Sequence, residues 1–198
     1  MSARTGILLV VSGPSGSGKT TLCRRLADEQ AAHYSISCTT RAPRPGEVDG
    51  EDYHFVTPDE FQARLAAGEF LEHALVHGNH YGTLRAEVMG YLAGGTDVVM
   101  DIDVQGAAQV RACDNPAIRR ARVDLFVMPP SEHELHARLA GRGTDSPATI
   151  ALRMQNALGE MRHWPEYTYR LISSTREEDY LRFKALLMAE QLRVSRIV

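Results

Sequence analysis

Gly13-Pro14-Ser15-Gly16-Ser17-Gly18-Lys19-Thr20 fits the pattern GxxxxGK[ST], and what flanks it decides the fold. Ahead of it, the short apolar run Ile7 to Val11 reads as a buried strand. Behind it, Leu22 and Leu26 at i and i+4, among Arg24, Arg25, Asp28 and Glu29, read as an amphipathic helix opening at Thr20. Strand, glycine-rich turn and helix in that order make a phosphate-binding loop. The glycines let the backbone turn so that successive N–H groups face one oxyanion, the helix N-terminus adds its positive end, and Lys19 brings a mobile charge. The Thr20 hydroxyl is the expected ligand of the Mg²⁺ that accompanies a nucleoside triphosphate.

The 198 residues suffice for one α/β domain carrying inserted sub-domains. A formal net charge of −3 gives the chain as a whole no electrostatic reason to coat nucleic acid or an anionic membrane. Cys23, Cys38 and Cys113 are scattered and form no CxxC, which argues against a disulfide framework or zinc knuckle and for a reducing compartment. Met1 to Gly6 holds one basic residue, and the apolar run after it is too short for a signal segment or a membrane span. The expectation is a soluble, cytoplasmic protein.

Farther along, strand and helix patterns alternate, which implies a parallel core sheet flanked by helices. Core strands are expected near Ile7–Ser12, Asp97–Asp103, Val123–Met128 and Tyr169–Ser173. Tyr34–Ser37, Tyr53–Val56 and Phe70–Val76 read as a smaller sheet inserted between them. Thr57-Pro58-Asp59-Glu60 combines a capping box with proline at the first helical position, and Gly68 closes that helix. Ser131 with Glu134 and Thr175 with Glu178 repeat the box. Trp164-Pro165 is expected to close a long helix, and Leu181, Leu186, Leu187 and Leu192 to form the core-facing stripe of the last one, with a dimer contact as the other reading.

Two polar, arginine-bearing stretches interrupt the core. In the first, Pro43 and Pro45 stiffen the loop that carries Arg41 and Arg44, so two guanidinia are presented either as a phosphate or carboxylate clamp or as solvated charges. In the strand after it, Phe70, Glu72, Ala74 and Val76 share a face by alternation. Glu72 is then a carboxylate in apolar company that needs donors, or an edge-strand gatekeeper. Gly78 to Thr83 reads as a turn carrying the hydroxyls of Tyr81 and Thr83. Asp97 to Asp103 is an apolar strand ending in Asp101 and Asp103, which point to the same side at the end where open α/β sheets bind ligands; a helix N-cap plus a surface acid is the alternative. The second stretch, Arg138 to Pro147, sets Arg142 between glycines, with Arg153 two turns into the next helix, as a mobile lid would. His73, His77 and His80 share no metal-ligand spacing.

These residues together resemble the guanylate kinase family over nearly the whole chain. The motifs carrying the resemblance are Gly-Pro-Ser-Gly-x-Gly-Lys at 13–19, Thr-Thr-Arg-x-Pro-Arg-x-Gly-Glu at 39–47, Asp52-Tyr53, Gly68-Glu69-Phe70, Tyr81-Gly82-Thr83, Asp101 to Gly106, Pro129-Pro130-Ser131 and Gly141-Arg142-Gly143-Thr144. The resemblance implies transfer of the γ-phosphoryl of ATP to GMP, with Mg²⁺ as cofactor. It implies ATP binding by Gly13, Pro14, Ser15, Gly16, Ser17, Gly18, Lys19, Thr20 and Thr21, and GMP phosphate binding by Arg41, Arg44, Tyr53 and Tyr81. Ser37, Glu72, Thr83 and Asp103 would surround guanine, Arg138, Arg142 and Arg153 would flank the phosphoryl path, and Thr20 and Asp101 would hold the metal, through water. The implied organisation is a core of residues 1–33, 93–128 and 163–198, a GMP-binding insert of 34–92 and a lid of 129–162. Monomer and homo-oligomer both remain open. The chain departs from the family at its last core strand: where an Asn-Asp pair near the donor adenine is common, it has Ser173-Ser174. Weak discrimination among purine triphosphate donors is the expectation that follows.

Overall fold

The computed structural model describes residues 4–76, 78–141 and 146–197. The chain runs β1 (Leu8–Ser12), α1 (Lys19–Asp28), β2 (His33–Tyr34), β3 (Cys38–Thr39), β4 (His54–Phe55), α2 (Pro58–Ala66), β5 (Phe70–Val76), β6 (Asn79–Leu84), α3 (Arg85–Ala93) and β7 (Val98–Asp101). It continues through α4 (Val104–Ala112), α5 (Pro116–Ala121), β8 (Arg122–Met128), α6 (Glu132–Ala140), α7 (Pro147–Met161), β9 (Tyr169–Ile172) and α8 (Arg176–Gln191).

Five strands, all parallel, form the main sheet in the order β2-β7-β1-β8-β9. Its central strand β1 is buried along its whole length because both faces are covered, as parallel sheets require. Ile7, Leu9 and Val11 pack with Leu22 and Leu26 of α1 and Phe183 and Leu187 of α8. Leu8 and Val10 face the other way, onto Val88, Leu92, Ala107, Val110 and Ile118 from α3, α4 and α5. The carboxyl ends of β1, β7 and β8 therefore open on one side, where the phosphate loop leaves β1.

The second sheet has four strands in the order β4-β3-β6-β5, around a small core of Cys38, Phe61 and Phe70. Here the structure corrects the sequence reading twice. Tyr34 belongs to the main sheet, where it pairs with Val99; the chain crosses to the small sheet only at Cys38. The stretch read as a turn is β6, antiparallel to β5, because the reversal is confined to the positions around Gly78, which has φ 80°. α6 and α7 pair through a fourth cluster of Leu135, Leu139 and Ala157.

The helix starts behave as expected. Thr57 and Glu60 form the reciprocal capping box, and the hydroxyls of Ser131 and Thr175 accept from the N–H groups of Glu134 and Glu178. A 3₁₀ turn at Trp164–Glu166 follows α7. The stripe of α8 is half as expected: Leu187 is buried and Leu186 packs on the core, but Leu181 and Leu192 are 58% and 81% exposed, and Tyr180 and Phe183 complete the buried face instead. Among the described residues no helix is long and apolar enough to cross a membrane.

Candidate active site

The phosphate loop, the start of α1, the end of β7 and one face of the small sheet enclose a cleft of about 370 Å³. Gly13, Gly16 and Gly18 adopt φ of 146°, 87° and 98°, a region closed to most side chains, and a Cβ on Gly13 would lie 2.2 Å from the Val127 carbonyl oxygen. Gly18 caps α1 without a side chain, so no cap satisfies the N–H groups of its first turn. Lys19 Nζ donates to the carbonyls of Gly13, at 2.6 Å, and Pro14, at 3.2 Å. The Thr20 hydroxyl donates to Asp101 Oδ2 at 2.5 Å. A hydroxyl and a carboxylate at the cleft suit a hard, largely hydrated cation such as Mg²⁺, which takes one or two protein oxygens beside substrate phosphates. Ser15, Thr21 and Arg153 also line the cleft, whereas Ser17 is buried under the loop.

At the far end of the cleft sits Glu72, 3% exposed. The Thr83 hydroxyl and N–H both donate to its Oε1, at 2.6 and 2.9 Å, and Ser37 Oγ lies 2.9 Å from Thr83 Oγ1. Burial pushes the Glu72 carboxyl up to about 7, against the Thr83 hydrogen bonds and with help from the nearby charge of Asp103. Its company is thus polar, which corrects the alternation argument. A register shift between Phe70 and Glu72 sends Phe70 to the core of the small sheet with Phe61, while Glu72, Ala74 and Val76 line the cleft. Although β5 is an edge strand, α4 covers it: Gln109 exchanges two hydrogen bonds with the His73 backbone, at 3.0 and 2.5 Å. Gly106 of the same helix packs on the carboxyl so tightly that a Cβ there would lie 2.3 Å from Oε2. Asp103 does cap α4, accepting from Gly106 N at 2.8 Å, and lines the cleft as well.

Arg41 enters from the loop after β3. Its Nε donates to Tyr81 Oη at 3.2 Å, Nη1 to the Ala42 carbonyl at 2.7 Å and Nη2 to Glu47 Oε1 at 2.9 Å. Glu47 also accepts from Arg44 N at 2.7 Å, tying the loop into one shape; the Arg41 charge beside it holds its carboxyl below the ordinary value. No role was expected for Glu47, though its spacing from Arg41 and Arg44 signals one. Tyr53 packs edge-on against Tyr81 with ring centroids 5.8 Å apart, and burial raises its phenol, keeping it a donor. Arg44, Tyr53 and Tyr81 line the cleft.

On α7, Arg153 and Glu160 reach the cleft together, as their spacing of two helical turns allows. Glu160 was not anticipated; burial raises its carboxyl, and the Lys19 charge opposes the rise. Arg138 does not line the cleft but binds Glu134 and Ser173 beside it. Arg142, with Gly143 and Thr144, lies outside the described residues, as does His77. His80 stacks on Phe61, with ring centroids 5.1 Å apart. Asp97, buried at the opposite end of β7, holds Arg4, Gln191 and the Ile7 N–H, a role in the fold alone.

The sequence model of one family, guanylate kinase, matches residues 5–190. A guanylate kinase of Cereibacter sphaeroides is 49% identical over 195 residues, covering 98% of this chain and 91% of the relative. One from Paramagnetospirillum magneticum is 47% identical, covering 99% and 90%. Among solved structures, a guanylate kinase from Anaplasma phagocytophilum superposes with a TM-score of 0.83 at 34% identity, covering 100% of this chain and 93% of that one.

Proposed function

This chain belongs to the guanylate kinase family, and on that premise we propose that it transfers the γ-phosphoryl group of ATP to GMP, giving ADP and GDP. The observation that carries the reading is the Ser37–Thr83–Glu72 hydrogen-bond chain at one end of a cleft whose other end is the phosphate loop. A carboxylate held by Thr83 can accept from guanine N1–H and the 2-amino group, while adenine offers neither donor. Arg41, Arg44, Tyr53 and Tyr81 would grip the GMP phosphate between base and donor.

In this arrangement an oxygen of the GMP phosphate attacks the γ-phosphorus in line as the bond to the β,γ-bridging oxygen breaks. No general base is needed, because a phosphate monoester with a second pKa near ~6 is mostly a dianion at neutral pH. The work left to the protein is to bring two anions together: Lys19, Arg41 and Arg153 offset the repulsion and stabilise the spread charge of the transition state. Thr20 and Asp101 would hold Mg²⁺, whose charge, when bound, offsets that of the donor phosphates. We read residues 34–92 as the acceptor-binding insert and 129–162 as the lid that excludes water, in a cytoplasmic enzyme. A coupled assay of ATP against GMP, AMP, CMP and UMP tests the reading. GMP is the expected acceptor, and comparable turnover of AMP would overturn the role of the base-binding end.

A further inference from the structure

Arg138 is the one arginine of the expected phosphoryl path, among the described residues, that the structure anchors outside the cleft lining. Its Nε donates to Glu134 Oε1 at 3.0 Å, one turn back on α6, and its Nη1 donates to Ser173 Oγ at 3.2 Å, just past β9. A serine has one proton. Here it goes to Asp179 Oδ2, at 2.8 Å, while Oδ1 of the same carboxylate accepts from Ser174 N at 2.7 Å. Ser173 and Asp179 are 4% and 6% exposed, so this chain of bonds is shielded from competing water. With its proton committed, the Ser173 oxygen offers only lone pairs to Arg138.

The helix that carries Arg138 is fixed as well. Leu135 and Leu139, on either side of it, are fully buried, and a Cβ on Gly16 would lie 3.5 Å from a terminal carbon of each, so α6 packs on the phosphate loop itself. The helix that bears Arg138 is therefore seated on the phosphate loop, and its guanidinium is tied to Glu134 and Ser173, before any nucleotide arrives. Without an anchor, a long arginine side chain would give up its rotamer freedom at each binding event.

We propose that Ser173 and Asp179 are positioning residues that set the Arg138 guanidinium beside the phosphate loop for the phosphoryl transfer. The proposal rests on the reading of Arg138 as part of the phosphoryl path. It also gives a purpose to the departure at Ser173-Ser174: α8 supplies, through Asp179, a carboxylate to the strand end that lacks one of its own.

A double-mutant cycle tests it, with kcat and the KM values for ATP and GMP measured for Ser173→Ala, Arg138→Ala and the double variant. Ser173→Ala should lower kcat/KM for ATP about tenfold, the worth of one hydrogen bond to a charged group, and leave KM for GMP within about twofold. In the Arg138→Ala background the same change should cost less than about twofold, since the residue it acts through is gone. Asp179→Asn repeats the test if Ser173→Ala does not fold: an amide nitrogen in place of Oδ2 turns the serine proton toward Arg138, donor against donor, with a similar loss. Equal losses in both backgrounds, or none in the wild-type background, overturn the proposal. If Arg138→Ala alone leaves kcat/KM unchanged, Arg138 is outside the phosphoryl path and the proposal falls with that reading.

Discussion

Thr83 donates twice to a single oxygen of Glu72, through its hydroxyl at 2.6 Å and its backbone N–H at 2.9 Å. With the Thr83 proton committed to the carboxylate, the contact between Ser37 and Thr83 has one direction: Ser37 donates and Thr83 accepts. Ser37 then turns only lone pairs toward the cleft. Two neighbouring groups, the Glu72 carboxylate and the Ser37 oxygen, thus present acceptors to whatever enters, which suits a base edge made of donors.

Glu72→Gln should cut kcat/KM for GMP by about 2–4 kcal/mol, from loss of charge-assisted bonding and from an amide NH₂ opposing a guanine donor. AMP should lose less, so the GMP/AMP ratio narrows; steady-state assays with both acceptors check it. An unchanged ratio removes Glu72 from base reading. The folded protein should not suffer. Glu72 titrates near 4.5 ordinarily and at about 7 in the fold, so the native state holds the extra proton between those values and loses stability as pH rises through that window. Neutral glutamine escapes that cost, worth up to about 3 kcal/mol at pH 8 before loss of the Thr83 contacts is subtracted. Thermal melts at pH 8 should show the variant no less stable than the wild type.

The same raised carboxyl makes guanine binding pH-dependent. Only ionised Glu72 accepts two hydrogen bonds from guanine, so affinity should be level above pH 7 and fall by about tenfold per pH unit well below it. Guanosine is the better probe, because it lacks the phosphate that itself titrates near ~6. Calorimetry between pH 5.5 and 8 should give this slope for the wild type and a flat profile for Glu72→Gln; a flat wild-type profile would mean that guanine does not bind to the carboxylate.

Gly106→Ala should act on GMP from α4. The new Cβ would stand 2.3 Å from Glu72 Oε2 and 3.0 Å from its Cδ, so the carboxyl must move. Alanine gains about 1 kcal/mol of helix propensity against an overpacking cost of about 1–3 kcal/mol, so the melting temperature should fall by no more than about 8 °C. KM for GMP should rise about tenfold while KM for ATP holds. A rise in both would show damage to the whole cleft instead.

Lys19→Ala should lower kcat by about tenfold to a hundredfold, the loss of one charge-assisted contact worth roughly 1.5–3 kcal/mol, and leave GMP affinity nearly intact. Single-turnover rates with binding measured separately make the distinction, and near-normal turnover would remove Lys19 from the donor phosphates.

Arg41→Lys should raise KM for GMP and lower kcat. An ammonium cannot hold the Tyr81 hydroxyl, the Ala42 carbonyl and Glu47 while also gripping a phosphate in a planar, two-point fashion. Guanosine binding should stay within about twofold of the wild type. Equal losses for GMP and guanosine would place the effect on the loop and not on the phosphate.

What the amino-acid order determined by itself is whatever neighbours along the chain determine. The phosphate loop was legible because positive φ at Gly16 and Gly18, the helix start at Lys19 and the lysine side chain all lie within a few residues. The cap of α2 by Thr57 and Glu60 is local in the same way, and the apolar run of β1 announces a strand buried on both faces. Alternation alone failed at Phe70 and Glu72, since a register shift is a property of the pair β5–β6 and not of either strand. The turn reading held at Gly78 but not over Asn79 to Thr83, where turn-forming residues become strand once β5 and β3 offer hydrogen bonds on both sides. The surroundings of Glu72, the seating of Gly106 and Gln109 against β5, the tie from Glu160 to the Lys19 charge and the path from Asp179 through Ser173 to Arg138 were decided only by tertiary structure. Each joins segments far apart in the chain. A buried polar group's partners are chosen by packing, which brings donors to it from other elements, and no local pattern of residues records which ones arrive.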